Sequence, residues 1–290
     1  MGSGRYLANI QPNELHRLNI QHRVLTKAFG GILYAPVTLK DGDAVLDSGT
    51  GTGMSLLFDC LGVSIPEWPL GCWTIDCYEA SKAAIQCYGI DITTNIFPVV
   101  DESIAPNLHF SQGNIVAPQG KWAENSYKLI NQRLLIAALS AEDWKTVVGN
   151  IYNLLAPGGW VQLVEANHCY SGEATEKHRA VLKRAFEKRG VLLDPIYNIP
   201  ALLGEAGFVA INTKDYEISL GKWAGKDGEE ARDSCIGVYR GMKHPVVDLM
   251  GLLPAREFDL LIDQMEEEWD SIEGSKVRYN IFYAQKPETA

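Results

Sequence analysis

The six cysteines of this 290-residue sequence, Cys60, Cys72, Cys77, Cys87, Cys169 and Cys235, include no CxxC pair, and its six histidines show neither HxxxH nor HExxH spacing. A bound metal is therefore not expected. Apolar stretches such as 147–156 are short and interrupted, far from the roughly 18 to 20 residues a membrane span requires. The N-terminal MGSGRYLANIQPNE lacks the apolar centre of a secretory leader, so a soluble chain of the cytoplasm or nucleus with reduced thiols is expected. Cations are scarce: 26 Lys and Arg face 36 Asp and Glu, for a net charge of −10 with no basic stripe. That argues against nucleic acid as the main substrate, because phosphate binding draws on clustered Lys and Arg. Repeats, linkers and low-complexity tracts are also missing.

What is present is enough apolar residue, 46%, for one large core or a core with an appended cap. Leu15, Leu18, Val24, Leu25 and Phe29 recur at helical spacing over 14–29, and Gly30-Gly31 stops that helix. Short apolar runs predict strands at 44–46, 86–90, 108–110, 127–130 and 160–164, with helical segments between several of them. Beyond them, helices are expected over 173–188, 199–206 and 255–272, an extended segment over 208–220 and a final strand over 279–284. Alternating βα units predict an α/β fold, Rossmann-like and doubly wound, with a mostly parallel seven-stranded sheet, helices on both faces and a helical lid. Residues 1–40 are expected to form the N-terminal lid segment and 41–290 the main domain, with a helical cap at about 170–207.

The first apolar run enters Asp47-Ser48-Gly49-Thr50-Gly51-Thr52-Gly53. Three glycines let the backbone turn sharply and approach a ligand closely. By itself this is also an ordinary strand-to-helix turn. The order DxGxGxG, in place of GxGxxG, puts a carboxylate at the strand end. A carboxylate repels a pyrophosphate but suits a cationic or amino-bearing ligand, a requirement S-adenosylmethionine (SAM) meets. Tyr88-Gly89-Ile90-Asp91 ends a second strand on an acid able to accept from both ribose hydroxyls, or on a plain surface Asp. Asn114, after the third strand, is placed to read an adenine amino group with Ile115 packed on the ring, or simply to form a turn. Arg133 lies at the carboxyl end of the fourth strand, where open α/β sheets place ligands, or is a solvated residue starting a helix.

With these motifs in view, the chain resembles the fungal LaeA-like, UbiE-type family of class I SAM-dependent methyltransferases over roughly residues 6–167. The resemblance is carried by Glu14, Arg17, Leu18, Gln21 and His22, then Gly30-Gly31, Ala35-Pro36-Val37, Val45-Leu46-Asp47 with GTGTG, and Tyr88-Gly89-Ile90-Asp91. Further along come Asn131-Gln132-Arg133-Leu134-Leu135, Asp143-Trp144 and Leu155-Ala156-Pro157-Gly158-Gly159-Trp160. It implies SAM as cofactor, held by Asp47, Gly49, Gly51, Gly53, Asp91, Asn114, Ile115 and Arg133, with Gln21 and His22 on a helix closing over it. The Pro-Gly-Gly turn is a fold marker, and the implied partner is a small-molecule methyl acceptor, a product of fungal secondary metabolism.

One departure stands out. The family's glycine turn runs within two residues into a Trp that opens an apolar helix, whereas here 18 residues, MSLLFDCLGVSIPEWPLG at 54–71, precede Cys72-Trp73. Asp47 and Asp91 are then 44 positions apart, 26 without the insert, against about 20 for a glycine turn and its acidic partner. Gly53-Met54-Ser55 and Leu70-Gly71 can be encoded by codons that supply splice signals, so the segment is expected to be a retained intron or alternative splice form. Methyl transfer from a sulfonium is an in-line displacement accelerated by alignment and exclusion of water. A general base helps a hydroxyl acceptor, and His168 and Glu165 are the candidates, each with a bland reading as a loop or surface residue. Tyr6, Trp73, Tyr170 and 197–203 are candidate acceptor-pocket residues, or core. Two other readings stand beside the enzyme: a non-catalytic LaeA-like regulator that keeps the fold, and a NAD-dependent oxidoreductase, disfavoured by DxGxGxG.

Overall fold

The computed structural model describes residues 12–51, 73–94, 97, 103, 105–118 and 123–289. Tyr6, Gly53 and the 54–71 insert lie outside the described residues. Seven strands form one sheet in the order β3-β2-β1-β4-β5-β7-β6, with β1 at Ala44–Ser48, β2 at Gln86–Asp91, β3 at Leu108–Gln112 and β4 at Tyr127–Arg133. β5 is Leu155–Tyr170, β6 Val209–Ser219 and β7 Lys276–Gln285. The strands β3 to β5 are parallel, and β7 runs antiparallel to both of its neighbours. Strand order reverses between β1 and β4, where an open α/β sheet leaves a crevice beyond its carboxyl ends. The expected doubly wound, mostly parallel seven-stranded sheet is the one observed.

Central strands are buried on both faces, so they read as near-continuous apolar runs and not as alternations. Leu46, Ile130, Val161 and Leu163 are fully buried in one cluster with Trp144. The fifth strand is longer than its apolar run predicts. The Pro157-Gly158-Gly159 turn falls inside it as an irregularity in pairing, where Tyr127 faces Leu155 and Leu129 faces Trp160. Helix α3, Ala141–Leu154, begins in a capping box in which Ser140 Oγ accepts from Asp143 N and Asp143 returns to the Ser140 backbone. This gives the Asp143-Trp144 motif its local role.

The lid helix α1 spans Pro12–Phe29. After β5 come α4, Glu173–Arg189, which stops at the left-handed Gly190, and α5, Pro195–Glu205. The cap expected at 170–207 is narrower than that, because α5 packs on α3, β6 and β7 as a sheet-flanking helix. A second cap piece lies between β6 and β7: α6, Gly225–Gly241, packed on α1, and α7, Ala255–Ser271, packed on α4 and α6.

Helix α2, Trp73–Ala80, starts two residues after the insert. The Trp73 indole is buried and donates to Ile32 O at 2.8 Å, so it is core and not a pocket residue. Thr50 and Thr74 bring their hydroxyls to 2.7 Å across the intervening segment. The two ends of the insert are thus tied by contacts that do not involve it. Deleting 54–71 is expected to leave the melting temperature within roughly 4 °C of the full chain, the equivalent of about 1 kcal/mol. A calorimetric scan showing a fall several times larger would mean the insert carries part of the fold.

Candidate functional site

A cavity of about 580 Å³ opens at the carboxyl ends of β1, β2, β4 and β5. One end is polar and is formed by Asp47, Gly49, Thr50, Gly51, Asp91 and Arg133, with Arg17, Gln21 and His22 of α1 above them. The rest of the lining is mostly apolar, with Leu134 to Ala138, Leu182 and Phe186 of α4, and Val238, Tyr239 and Met242 from α6 and its end, but it also carries Asn167, His168, Arg179, Lys183 and Asp194.

The glycine turn is shaped by its own backbone. Gly49 and Gly51 have φ of 71° and 65°, a region costly for other residues. The N–H groups of Gly49 and Thr50 both donate to Ile90 O at 2.9 Å, which ties the turn to the end of β2. A Cβ at Gly49 would also lie 3.1 Å from the Leu135 side chain.

Asp47 is held by a ladder of buried polar side chains. Asn131 and Gln162 stand beside it at the same register on β4 and β5, so all three point to one face of the sheet. Asn131 Nδ2 donates to Asp47 Oδ1 (2.6 Å), and Gln162 Nε2 donates to Asn131 Oδ1 (2.8 Å) and to Ile32 O (2.8 Å). Gln162 Oε1 accepts from Tyr34 N at 3.0 Å. On the other oxygen, Thr74 Oγ1 donates to Asp47 Oδ2 at 2.8 Å. That leaves Thr50 as donor in the Thr50–Thr74 bond. Each carboxylate oxygen accepts two hydrogen bonds, so Asp47 keeps acceptor capacity toward the cavity.

Asp91, at the end of β2, accepts from Gly51 N and Thr93 N, both at 3.1 Å. Burial raises its pKa above the usual carboxylate range, and the backbone N–H bonds partly offset that. Arg133 donates through Nη2 to His22 Nδ1 at 2.9 Å, while His22 Nε2 meets Asp76 at 2.8 Å. Arginine donates only, so His22 is the Nε2–H tautomer bridging α1, β4 and α2. Burial, and then the charge of Arg133, lower the His22 pKa and keep it neutral. Arg133 Nη1 is buried and has no protein partner.

At the junction of the two ends, Leu134 has φ 59°, an uncommon conformation for a branched residue. It is held by Leu134 N donating to Val164 O (2.8 Å) and by the Glu165 carboxyl, whose oxygens accept from Leu135 N (3.0 Å) and Ile136 N (2.9 Å). Glu165 is completely buried behind the cavity wall. It is therefore a positioning residue for the 134–138 loop and not the base that its place in the sequence suggests. Burial pushes its pKa up to about 8, against the opposing pull of those two N–H bonds. A pKa raised on folding gives stability that is complete below the unfolded value of 4.5 and is lost as pH rises toward 8. The advantage of the native chain over Glu165→Gln is expected to shrink by on the order of 4 kcal/mol between pH 4.5 and pH 8. Urea unfolding at several pH values checks this, and a difference independent of pH would contradict it.

His168, half-buried, does line the cavity. Its pKa is lowered by burial and then by Arg179, with Asp194 and Glu176 opposing, so it is neutral and able to take a proton. The structure thus brings Asp47, Gly49, Gly51, Asp91, Arg133 and His168 to one cavity. It does not bring Asn114 and Ile115 there: Asn114 is exposed and closes a turn by accepting from Val116 N at 3.0 Å, and Ile115 is packed into the core with Leu46 and Ile90. Tyr197 is 77% exposed, and Tyr170 sits between Arg179 and Arg278 and not in the cavity lining. The aromatic lining comes instead from Phe186, Tyr239 and Tyr279, of which Tyr239 lies in α6, the helix that periodicity leaves unread.

No family model matches the sequence. Among curated proteins the chain is similar to N-methyltransferase verN of Clonostachys rogersoniana, 28% identical over 97% of this chain and 92% of that one. It is also similar to N-methyltransferase tcpN of Claviceps purpurea, 27% identical over 94% of each. Methyltransferase grgD of a Penicillium is 29% identical over 78% of this chain and 75% of that one. Among solved structures, a phosphoethanolamine N-methyltransferase of Haemonchus contortus superposes with a TM-score of 0.52 at 16% identity, over 98% of this chain and 54% of that one. The chain spans about half the length of that enzyme. The [4+2]-cyclase SpnF superposes with a TM-score of 0.50 at 14% identity, over 97% of this chain and 98% of that one. A cyclase in that company shows that the likeness establishes architecture and not reaction. Along most of its length the chain is similar in sequence to fungal methyltransferases, and its fold is the Rossmann-like fold of class I SAM-dependent methyltransferases.

Proposed function

We propose that this chain is a SAM-dependent N-methyltransferase acting on a small, largely apolar molecule. The observation that carries the reading is one cavity that joins the carboxylates and guanidinium around the glycine turn to a mostly apolar remainder, lined by the 134–138 loop, α4 and α6 and carrying His168, Arg179, Lys183 and Asp194. The polar end suits an amino-acid nucleoside. Arg133 Nη1 is a buried donor without a partner, matched to a carboxylate. Asp47 has acceptor capacity for an ammonium, and Asp91 for a ribose diol. When bound, SAM supplies an electrophilic methyl: a C–N bond forms as the C–S bond breaks, leaving a neutral thioether and releasing one proton.

The chain's own part is alignment and exclusion of water. Helix α1, latched to β4 and α2 through His22, covers the polar end, while α6 and α4 wall the apolar end. The clamped 134–138 loop forms the surface between them. His168, neutral and in the lining, is the group placed to accept the released proton. Nitrogen as the methylated atom follows the names of the verN and tcpN relatives. The finer placement among LaeA-like, UbiE-type proteins, and a fungal secondary metabolite as acceptor, rest on the motifs from Glu14 to Trp160.

Incubation with SAM carrying a deuterated methyl and a panel of small amides, amines, phenols and thiols, read by mass spectrometry, tests the reading. Label on nitrogen supports it, and label on oxygen or sulfur corrects the atom. A chain that binds S-adenosylhomocysteine (SAH) yet labels nothing across such a panel would favour the non-catalytic reading.

A further inference from the structure

Three polar side chains on neighbouring strands form a chain of hydrogen bonds that ends at the cavity lining. Asp215 of β6 and Asn280 of β7 are register partners, and Asn280 also faces Glu165 of β5. Asn280 Nδ2 donates to Asp215 Oδ1 at 2.6 Å, and Asn167 Nδ2, from β5, donates to Asn280 Oδ1 at 3.0 Å. Asn280 is completely buried, whereas Asp215 is exposed.

The direction of this chain follows from donor and acceptor types. An ionised carboxylate only accepts, so Asn280 must turn its NH₂ to Asp215 and its carbonyl toward Asn167. Asn167 must then spend its NH₂ on Asn280. What remains is Asn167 Oδ1, an acceptor, on a residue that lines the cavity. That oxygen is buried and has no protein partner. A buried polar atom left unpaired costs about 1–3 kcal/mol, and the lining it shares holds Leu134, Ile136 and Ala166 together with the donors His168, Arg179 and Lys183, none of which bonds to it.

We propose that Asn167 Oδ1 is the specificity contact for the methyl acceptor and takes an N–H from it, so the substrate class is a neutral N–H-bearing amide or amine with an apolar body. The proposal rests on the methyltransferase reading and deepens it. An amide oxygen is too weak a base to remove the proton. Its role is to choose and orient the nitrogen, with Asp215 and Asn280 fixing its polarity from behind.

The test is an NMR titration of the full chain, saturated with SAH, against benzamide, N-methylbenzamide and N,N-dimethylbenzamide, which lose their N–H donors stepwise. The native chain is expected to bind benzamide about fivefold or more tightly than the dimethyl compound, the value of one hydrogen bond. In Asn167→Ala that preference is expected to collapse to within about twofold, an experimental margin equal to a fraction of that bond. Asp215→Lys offers only donors, so it reverses both amides and is expected to abolish the preference with Asn167 still in place. Equal binding of all three by the native chain, absence of benzamide binding while SAH is bound, or a preference kept in Asn167→Ala overturns the proposal. Failure of SAH to bind in the same sample instead sinks the methyltransferase reading on which it rests.

Discussion

Replacing Asp91 by alanine is expected to weaken SAH binding by about a hundredfold or more, the loss of two hydrogen bonds to a charged acceptor. Asp91 sits at the last position of β2, with its carboxylate beyond the sheet and in the cavity. Its backbone partners are Gly51 N and Thr93 N, on different oxygens, and Ile92. Acceptor capacity left on the carboxylate is available to a ribose diol in the cavity that Asp91 lines. Alanine removes that capacity and also releases Gly51, so the glycine turn loses a tether along with the ligand contact. Asn at the same position keeps one oxygen and is expected to bind with intermediate affinity. The pH dependence has a definite sign: binding needs the ionised form, and the raised pKa of Asp91 makes affinity fall earlier on acidification than an ordinary carboxylate would. Calorimetry at neutral pH decides the matter, and an alanine variant within tenfold of the native affinity would remove Asp91 from the site.

Asn131→Leu is expected to cost about 3 kcal/mol of stability, because one substitution leaves two buried groups without their partner. Leucine fills a similar volume on β4, so the effect is electrostatic and not a cavity. Asp47 Oδ1 loses its donor at 2.6 Å, and Gln162 Nε2 loses one of its two acceptors. The ladder runs from the cavity-lining Asp47 through two fully buried amides to the segment after α1, at Ile32 and Tyr34. Breaking it in the middle loosens the lid connection and the carboxylate together. A fall in melting temperature of roughly 10 °C is expected for that free energy in a chain of this size, with weaker SAH binding as its companion. An unchanged melting temperature would show that the ladder contributes nothing net.

The sheet was legible from sequence because its central strands are buried on both faces and its turns carry glycines. The polar end of the cavity was legible because an acid at a strand end and a glycine turn are local patterns. What periodicity missed is what tertiary packing supplies. Helix α6 carries Gly228, Gly237 and Gly241 and a polar first half, which reads as loop. It is helical because it packs on α1, and Gly237 is a condition of that packing, since a Cβ there would lie 2.7 Å from the Arg17 side chain. Gln162, a polar residue within the expected 160–164 strand, anchors Asn131, which in turn holds Asp47. Glu165 drew attention as a possible base, but its burial is visible only once the 134–138 loop is folded over it. Asn167, between the two residues singled out as bases, gave no signal at all. Its meaning comes from β6 and β7, strands more than 40 residues away in the chain. Asn114 shows the converse error, where a plausible motif residue proves to be making a turn.

Methyl transfer by this chain requires that the one cavity bind an amino-acid nucleoside at its polar end. Titration of SAH into the full 290-residue chain by calorimetry, with SAM and NADH as competitors, tests this most directly. One SAH site per chain is expected, displaced by SAM, unaffected by NADH and lost in Asp91→Ala. Absence of SAH binding by the folded chain, or displacement by NADH, would contradict it.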